Sequence, residues 1–119
     1  MKTVEFVKAL RAIETMQRNG EVKEHGLLAY VRITERWWLP TGRVPTVEIA
    51  RVSVRTPGQG LFTAFLHGVE CIAAARKRTV YIENVIDERF RDFFRKRGYT
   101  ECEGGFGTRS FYLERKHEH

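Results

Sequence analysis

The run Val52-Ser53-Val54-Arg55-Thr56-Pro57-Gly58-Gln59-Gly60-Leu61-Phe62 reads as the end of a strand, a tight turn and the start of a helix. Val-x-Val is β-forming, Pro57 cannot continue a ladder, and the glycines reach backbone conformations closed to most residues. Leu61, Phe62, Phe65, Leu66, Val69, Ile72 and Ala73 then mark a helix of about four turns. Glycines at such a turn let a ligand approach the backbone closely. The first helical amides have no intrahelical acceptor and lie at the positive end of the dipole, so the segment can form an anion site. On the glycines alone, a plain connecting turn explains the run equally well.

Working outward, Thr46-Val47-Glu48-Ile49-Ala50-Arg51-Val52-Ser53-Val54 is a largely buried strand. Its apolar residues fall first at odd positions (Val47, Ile49) and then at even ones (Val52, Val54). Residues 3–18 form an amphipathic helix on Val4, Val7, Leu10 and Ile13, with Gly20 as its stop. A β-rich run over 27–34 follows, and Pro40, Gly42 and Pro45 then interrupt the chain with turn chemistry. Downstream, Thr79-Val80-Tyr81-Ile82-Glu83 is a short strand, and Ile86, Phe90, Phe93 and Phe94 line a third helix ending at Gly98. The remainder, to about Arg115, reads as two strands joined by a turn around Gly104, Gly105 and Gly107. The predicted order is α-β-(β)-β-α-β-α-β-β, one mixed α/β (α+β) domain over residues 1–119.

Composition narrows the class. At 119 residues with 42% apolar content the chain suits one globular domain. No apolar run reaches the roughly 18 residues of a membrane span, and the start lacks the layout of a secretory signal, so no membrane partner is expected. Cys71 and Cys102 are far apart without metal-like spacing, and the four histidines form no triad or ligand set. The expectation is no metal site and a reducing, cytoplasmic setting. A net charge of +6, spread along the chain, suits a polyanionic ligand of either kind, phosphate-bearing cofactor or nucleic acid.

Arg55-x-x-Gly58-x-Gly60 resembles the Arg/Gln-x-x-Gly-x-Gly/Ala signature of the GNAT acyltransferases, and it follows a Val-x-Val strand end as theirs does. Tyr81-Ile82-Glu83-Asn84 resembles the family's fifth strand, which ends in a cofactor-side Asn. Asp92-Phe93-Phe94-Arg95-Lys96-Arg97-Gly98-Tyr99 resembles its helix ending, Phe-Tyr-x-Lys-x-Gly-Phe. The likeness covers about residues 46–115. A second register, Pro57-Gly58-Gln59-Gly60-Leu61-Phe62, resembles the family's Arg-Gly-Lys/Gln-Gly-Leu-Phe form and leaves Arg55 as a neighbour only.

The resemblance implies an N-acyltransferase that takes acetyl-CoA, or another acyl-CoA, and passes the acyl group to an amine. It implies a V-shaped splay between two parallel strands for the pantetheine arm, with amides near Val52 and Val54 facing the cofactor. Arg55, Gly58, Gln59, Gly60, Leu61 and Phe62 would meet the pyrophosphate, and Asn84 the cofactor side of the next strand. Glu48 stands where some members carry a catalytic Glu. The family's proton-donating Tyr is replaced by Phe94, with Tyr81, Tyr99 or a water as substitutes. With a helix beginning near Thr3, the family's usual first strand has no counterpart.

Each of these residues has a simpler role open to it. Glu48 can be a charged residue on a sheet face, and Asn84 an N-cap for the third helix. Arg89, Arg91, Arg95, Lys96 and Arg97 read as a solvated helix face, and Arg76-Lys77-Arg78 as a helix end complementing the dipole. Trp37 and Trp38 point to opposite faces of a strand, so one is free to line an acceptor groove or a homodimer contact. The alternative to an active transferase is a non-catalytic GNAT-fold binding or regulatory module, with or without coenzyme A. A nucleic-acid partner is not expected, because there is no stacking platform or helix-turn-helix pattern.

Overall fold

The computed structural model describes residues 2–38, 42–55, 60–85, 88–103 and 108–113. Gly58, Gln59 and the turn at Gly104 lie outside them, as does the side chain of Asn84. The chain runs α1 (Lys2–Met16), β1 (Gly20–Glu24), β2 (Leu27–Trp38), β3 (Gly42–Val54), α2 (Leu61–Arg76), β4 (Thr79–Val85), α3 (Glu88–Lys96), β5 (Thr100–Glu103) and β6 (Arg109–Leu113). The strands form one sheet in the order β1-β2-β3-β4-β6-β5. All its neighbours are antiparallel except β3 and β4, the pair joined by the α2 crossover.

One sheet face is apolar. Val22, Leu27, Ala29, Val31, Val47, Ile49, Val80, Ile82 and Phe111 are buried there with Phe6 and Leu10 of α1, Phe65, Leu66 and Val69 of α2, and Phe94 of α3. Gly68 lets α1 and α2 approach closely, for a Cβ there would stand 3.3 Å from that of Phe6. Glu14 is buried beside this contact and is paired with Arg78 at 2.8 Å and Arg76 at 3.1 Å. Arg78 is therefore a buried tie between α1 and the start of β4 as well as a charge beyond the end of α2.

Two expectations are corrected. Residues 20–24 form a strand, so Gly20 begins β1 as well as following the end of α1. Only Val22 of its five residues is buried, too little alternation to announce a strand, and the hairpin turn rests on His25 and Gly26 at positive φ. The β2–β3 hairpin is also longer than its prolines and glycine suggested. Pro45 lies inside β3 opposite Glu35, just before β4 begins to pair at Thr46. There β3 has a ladder on one side only, so a residue without N–H is tolerated.

The parity change in β3 has a physical cause. Tyr30 pairs with Arg51 and Val31 with Ile49, which leaves Ala50 as the extra residue of a β-bulge. A bulge flips the alternation, so Val52 and Val54 join Val47 and Ile49 on the helix-bearing face.

Candidate active site

The site follows from where β3 and β4 stop pairing. Their parallel ladder runs from Thr46↔Thr79 to Ile49↔Ile82 and ends. Just beyond it β3 bulges at Ala50. On β4 the pairing with β6 slips between Ile82 and Val85, adding a residue there too. Bulges bend and twist strands, and two side by side spread the ends into a V. Between them lies a cleft of about 320 Å³, lined by Ile49, Ala50, Arg51 and Val52 from β3 and Ile82, Glu83 and Val85 from β4. Phe62 of α2 with Phe90 and Phe94 of α3 complete its wall.

That wall is one aromatic cluster. Phe62 meets Phe90, Phe93 and Phe94 edge-on at centroid distances of 5.3, 5.9 and 5.9 Å, and Phe94 also packs against Tyr99 and Phe111. Phe94 is 1% exposed, so its ring is both core and cleft wall. Tyr99 is engaged elsewhere: its hydroxyl donates to Glu70 at 2.8 Å, and Arg97 pairs with the same carboxylate at 2.7 Å.

α2 starts at the open end of the V. Gly60 is its N-cap at φ 70°, ψ 13°, and a Cβ there would meet nothing within 4 Å. Its carbonyl accepts from the Ala64 amide, which leaves the amides of the first turn without intrahelical acceptors. Val52 and Phe62 line the cleft, while Leu61 is buried in the core beneath. Val54 and Arg55 stand further out, lining a second hollow of about 460 Å³ with Lys23, His25, Gly26 and Leu28. Arg55 is exposed, and its amide donates to the Gly26 carbonyl at 2.9 Å. The backbone of Asn84 lies in the slipped segment of β4.

The opposite sheet face is polar, and no α-helix packs on it among the described residues. Glu48 sits there, one rung before the vertex, between Arg32 of β2 and Tyr81 of β4 in the register. Its side chain is 6% exposed, and its Oε1 accepts from Arg36 at 2.6 Å. The Arg36 guanidinium also lies 3.8 Å over the Tyr81 ring. Burial pushes the Tyr81 hydroxyl up from its ordinary range, against the opposing pull of Ser110 and Arg36. Burial likewise raises the Cys102 thiol nearby. Arg32 reaches Glu83 at 3.4 Å.

Arg36, Arg51, Glu83 and Phe90 are site residues that sequence reasoning missed. The parity change at Ala50 was the one signal pointing to the bulge. Arg36 was hidden by reading Pro40 to Pro45 as a break. The basic residues of α3 are largely engaged within the chain: Arg95 with Glu88 and Glu101, Lys96 with Asp92, Arg97 with Glu70.

Known structures share this architecture. The fold is GNAT-like. The anti-CRISPR protein AcrVA5 aligns with a TM-score of 0.62 at 14% identity, over 82% of this chain and 99% of its own. A mutant AtaT toxin, bound to the C-terminus of the antitoxin AtaR and to acetyl-CoA, aligns at 0.57 and 13% identity, over 73% of this chain and 57% of its own. The KacTA–DNA complex contains a chain that aligns at 0.58 and 11% identity, over 89% of this chain and 79% of its own. By sequence, no family model and no curated protein matches. Among the described residues no helix is long and apolar enough to cross a membrane, and both cysteines are free thiols.

Proposed function

We propose that this protein is an acyl-CoA-dependent N-acyltransferase, with acetyl-CoA as its simplest donor. The observation that carries the reading is the V past Ile49 and Ile82, placed next to a helix N-terminus that begins at Gly60. The residues present fit such a donor. The cleft is of ligand size and mostly apolar, as an extended pantetheine arm requires. Strand edges released from pairing offer amides and carbonyls to its peptide-like groups. The first turn of α2 offers donors to the pyrophosphate, and the segment 56–59, with Gly58 and Gln59, leads into it.

Bound there, the donor supplies an acyl thioester. Transfer breaks a C–S bond and forms a C–N bond, while the amine loses one proton and the sulfur gains one. Val52 and Phe62 orient the arm, and Phe90 and Phe94 keep water from one side of it. Glu48 is a buried carboxylate one residue before the vertex on the open face. Arg36 holds its Oε1, and its Oε2 has no hydrogen bond among the described residues, so that oxygen takes the amine proton directly or through a water. Phe94 favours a second reading, a binding module that holds coenzyme A without turnover, since its ring has no proton to give.

Thermal denaturation with and without acetyl-CoA tests the proposal. Binding to the folded state alone raises the melting temperature in step with ligand concentration, by about 2.7 kcal/mol of stability at one hundred times Kd. An unchanged melting temperature at millimolar acetyl-CoA, with no heat in calorimetry, would sink both readings.

A further inference from the structure

Among the described residues, the helix-free face carries three arginines near the vertex, Arg32, Arg36 and Arg51, and two carboxylates, each paired with one of them. Arg36 is paired with Glu48 and Arg32 with Glu83. Arg51 is left over: it is exposed, it lines the cleft, and among the described residues no carboxylate pairs with it. Its register fixes its side. Ala29 faces the core and pairs with Val52, so Tyr30 and its partner Arg51 project from the opposite, polar face. With Ile49 turned to the helices and Ala50 bulged out, Arg51 follows Glu48 as the next residue of β3 on that face.

We propose that the acceptor is a small amine that also carries a carboxylate or a phosphate, and that Arg51 binds this anionic group while the amine lies at Glu48. The proposal rests on the acyltransferase reading and adds the chemistry of the acceptor. A guanidinium offers a planar pair of donors matched to a carboxylate or phosphate, and among the described residues no carboxylate offsets its charge. Glu48 offers the opposite charge to an incoming ammonium. The two positions are three residues apart, about 10 Å at most along a strand. The acceptor's own two charges are therefore close together, which disfavours long polyamines.

The test has two arms. Calorimetry measures acetyl-CoA binding to the parent and to Arg51→Gln. Coenzyme A release is then followed with matched amines, glycine against glycinamide and O-phosphoethanolamine against ethanolamine, which also separates carboxylate from phosphate. The expected result is a lower KM for the anionic member of at least one pair. In Arg51→Gln that KM rises about 10–100-fold, the worth of a charge-assisted hydrogen bond, while kcat and acetyl-CoA affinity both change far less. Arg51→Lys, which keeps the charge, recovers part of the loss. Equal or better use of the neutral amines, or an anion preference that survives Arg51→Gln, overturns the proposal. So does a loss of acetyl-CoA affinity as large as the rise in KM, which would put Arg51 on the donor. Tight acetyl-CoA binding with no turnover of any amine overturns it while leaving the coenzyme A site standing. Absence of acetyl-CoA binding to the parent removes the acyltransferase reading and this proposal together.

Discussion

Ile49 and Ile82 form the last rung between the two parallel strands, and a bulge follows on each side. The ladder is given up beside the core, where unpaired backbone groups cost the most unless a ligand or water takes them. Filling the V separates that function from stability. Val52→Phe adds apolar volume to a half-buried cleft residue, so the melting temperature holds or rises slightly while acetyl-CoA affinity falls at least tenfold. Calorimetry and a thermal melt on the same sample check it. Unchanged affinity would place the ligand elsewhere.

Gly60 gives a second separation. Its φ of 70° strains any other residue, by roughly 1–2 kcal/mol, but the space around it is open. Gly60→Glu therefore folds, with a modestly lower melting temperature, and its carboxylate near the N-terminus of α2 partly offsets the strain. The same charge repels a pyrophosphate. Loss of acetyl-CoA binding by the folded variant is the expected outcome, and binding equal to the parent's would mean that the first turn of α2 is not the phosphate site.

Glu48 and Arg36 define a third. In Glu48→Gln the amide still fills the position but takes up no proton, so coenzyme A release falls roughly 10²–10⁴-fold with acetyl-CoA affinity kept. The variant's melting curve must be checked, because Arg36 then faces a neutral partner. A rate equal to the parent's would make Glu48 only the counter-ion of Arg36.

Much of this site was legible in the sequence because its parts are local. The strand, glycine turn and apolar helix announce themselves within one stretch of chain, and Phe62 and Val52 follow from it. Arg36, Arg51 and Tyr81 were not placed, because they meet only through register across β2, β3 and β4. Register depends on where the bulge falls. Val47, Ile49, Val52 and Val54 record that bulge as a change of parity, but only the pairing of Tyr30 with Arg51 and Val31 with Ile49 locates it at Ala50. The short strand β1 escaped notice because its neighbours, not its composition, hold it in the sheet.

The buried polar face has a pH signature. Cys102 and Tyr81 are both raised above their ordinary values of 9.0 and 10.0, chiefly by burial. Each binds its proton more tightly folded than unfolded, so stability is lost as pH rises from the unfolded values through the higher folded ones. Urea titrations at pH 8 and pH 10.5 should show a lower midpoint at the higher pH, and Tyr81→Phe should remove part of the difference. At pH 8 a maleimide should modify the exposed Cys71 well before Cys102, read by intact mass. Equal rates would contradict the partial burial of Cys102. The fast thiol also recommends Cys71→Ser for any assay that detects coenzyme A with a thiol reagent.

Phe94 is the sharpest test of catalysis. Its ring lines the cleft and packs on Phe62, Phe93, Tyr99 and Phe111, so a hydroxyl added at its tip meets either the cleft or the aromatic core. Pointing into the cleft, Phe94→Tyr supplies the departing sulfur with a proton the parent cannot give there. Well-placed acid assistance is worth roughly 10²–10⁴-fold, so even an imperfect hydroxyl should raise coenzyme A release detectably. Pointing into the core, the same hydroxyl lowers stability by about 1–3 kcal/mol, the cost of an unmet buried donor. The melting temperature distinguishes the two. A faster variant of unchanged stability is the expected outcome. Parent turnover already in the ordinary enzymatic range, about 1–10³ per second, with no gain on substitution, would mean that another group protonates the sulfur. With Tyr99 committed to Glu70, Tyr81 or a water would then be the donor to pursue.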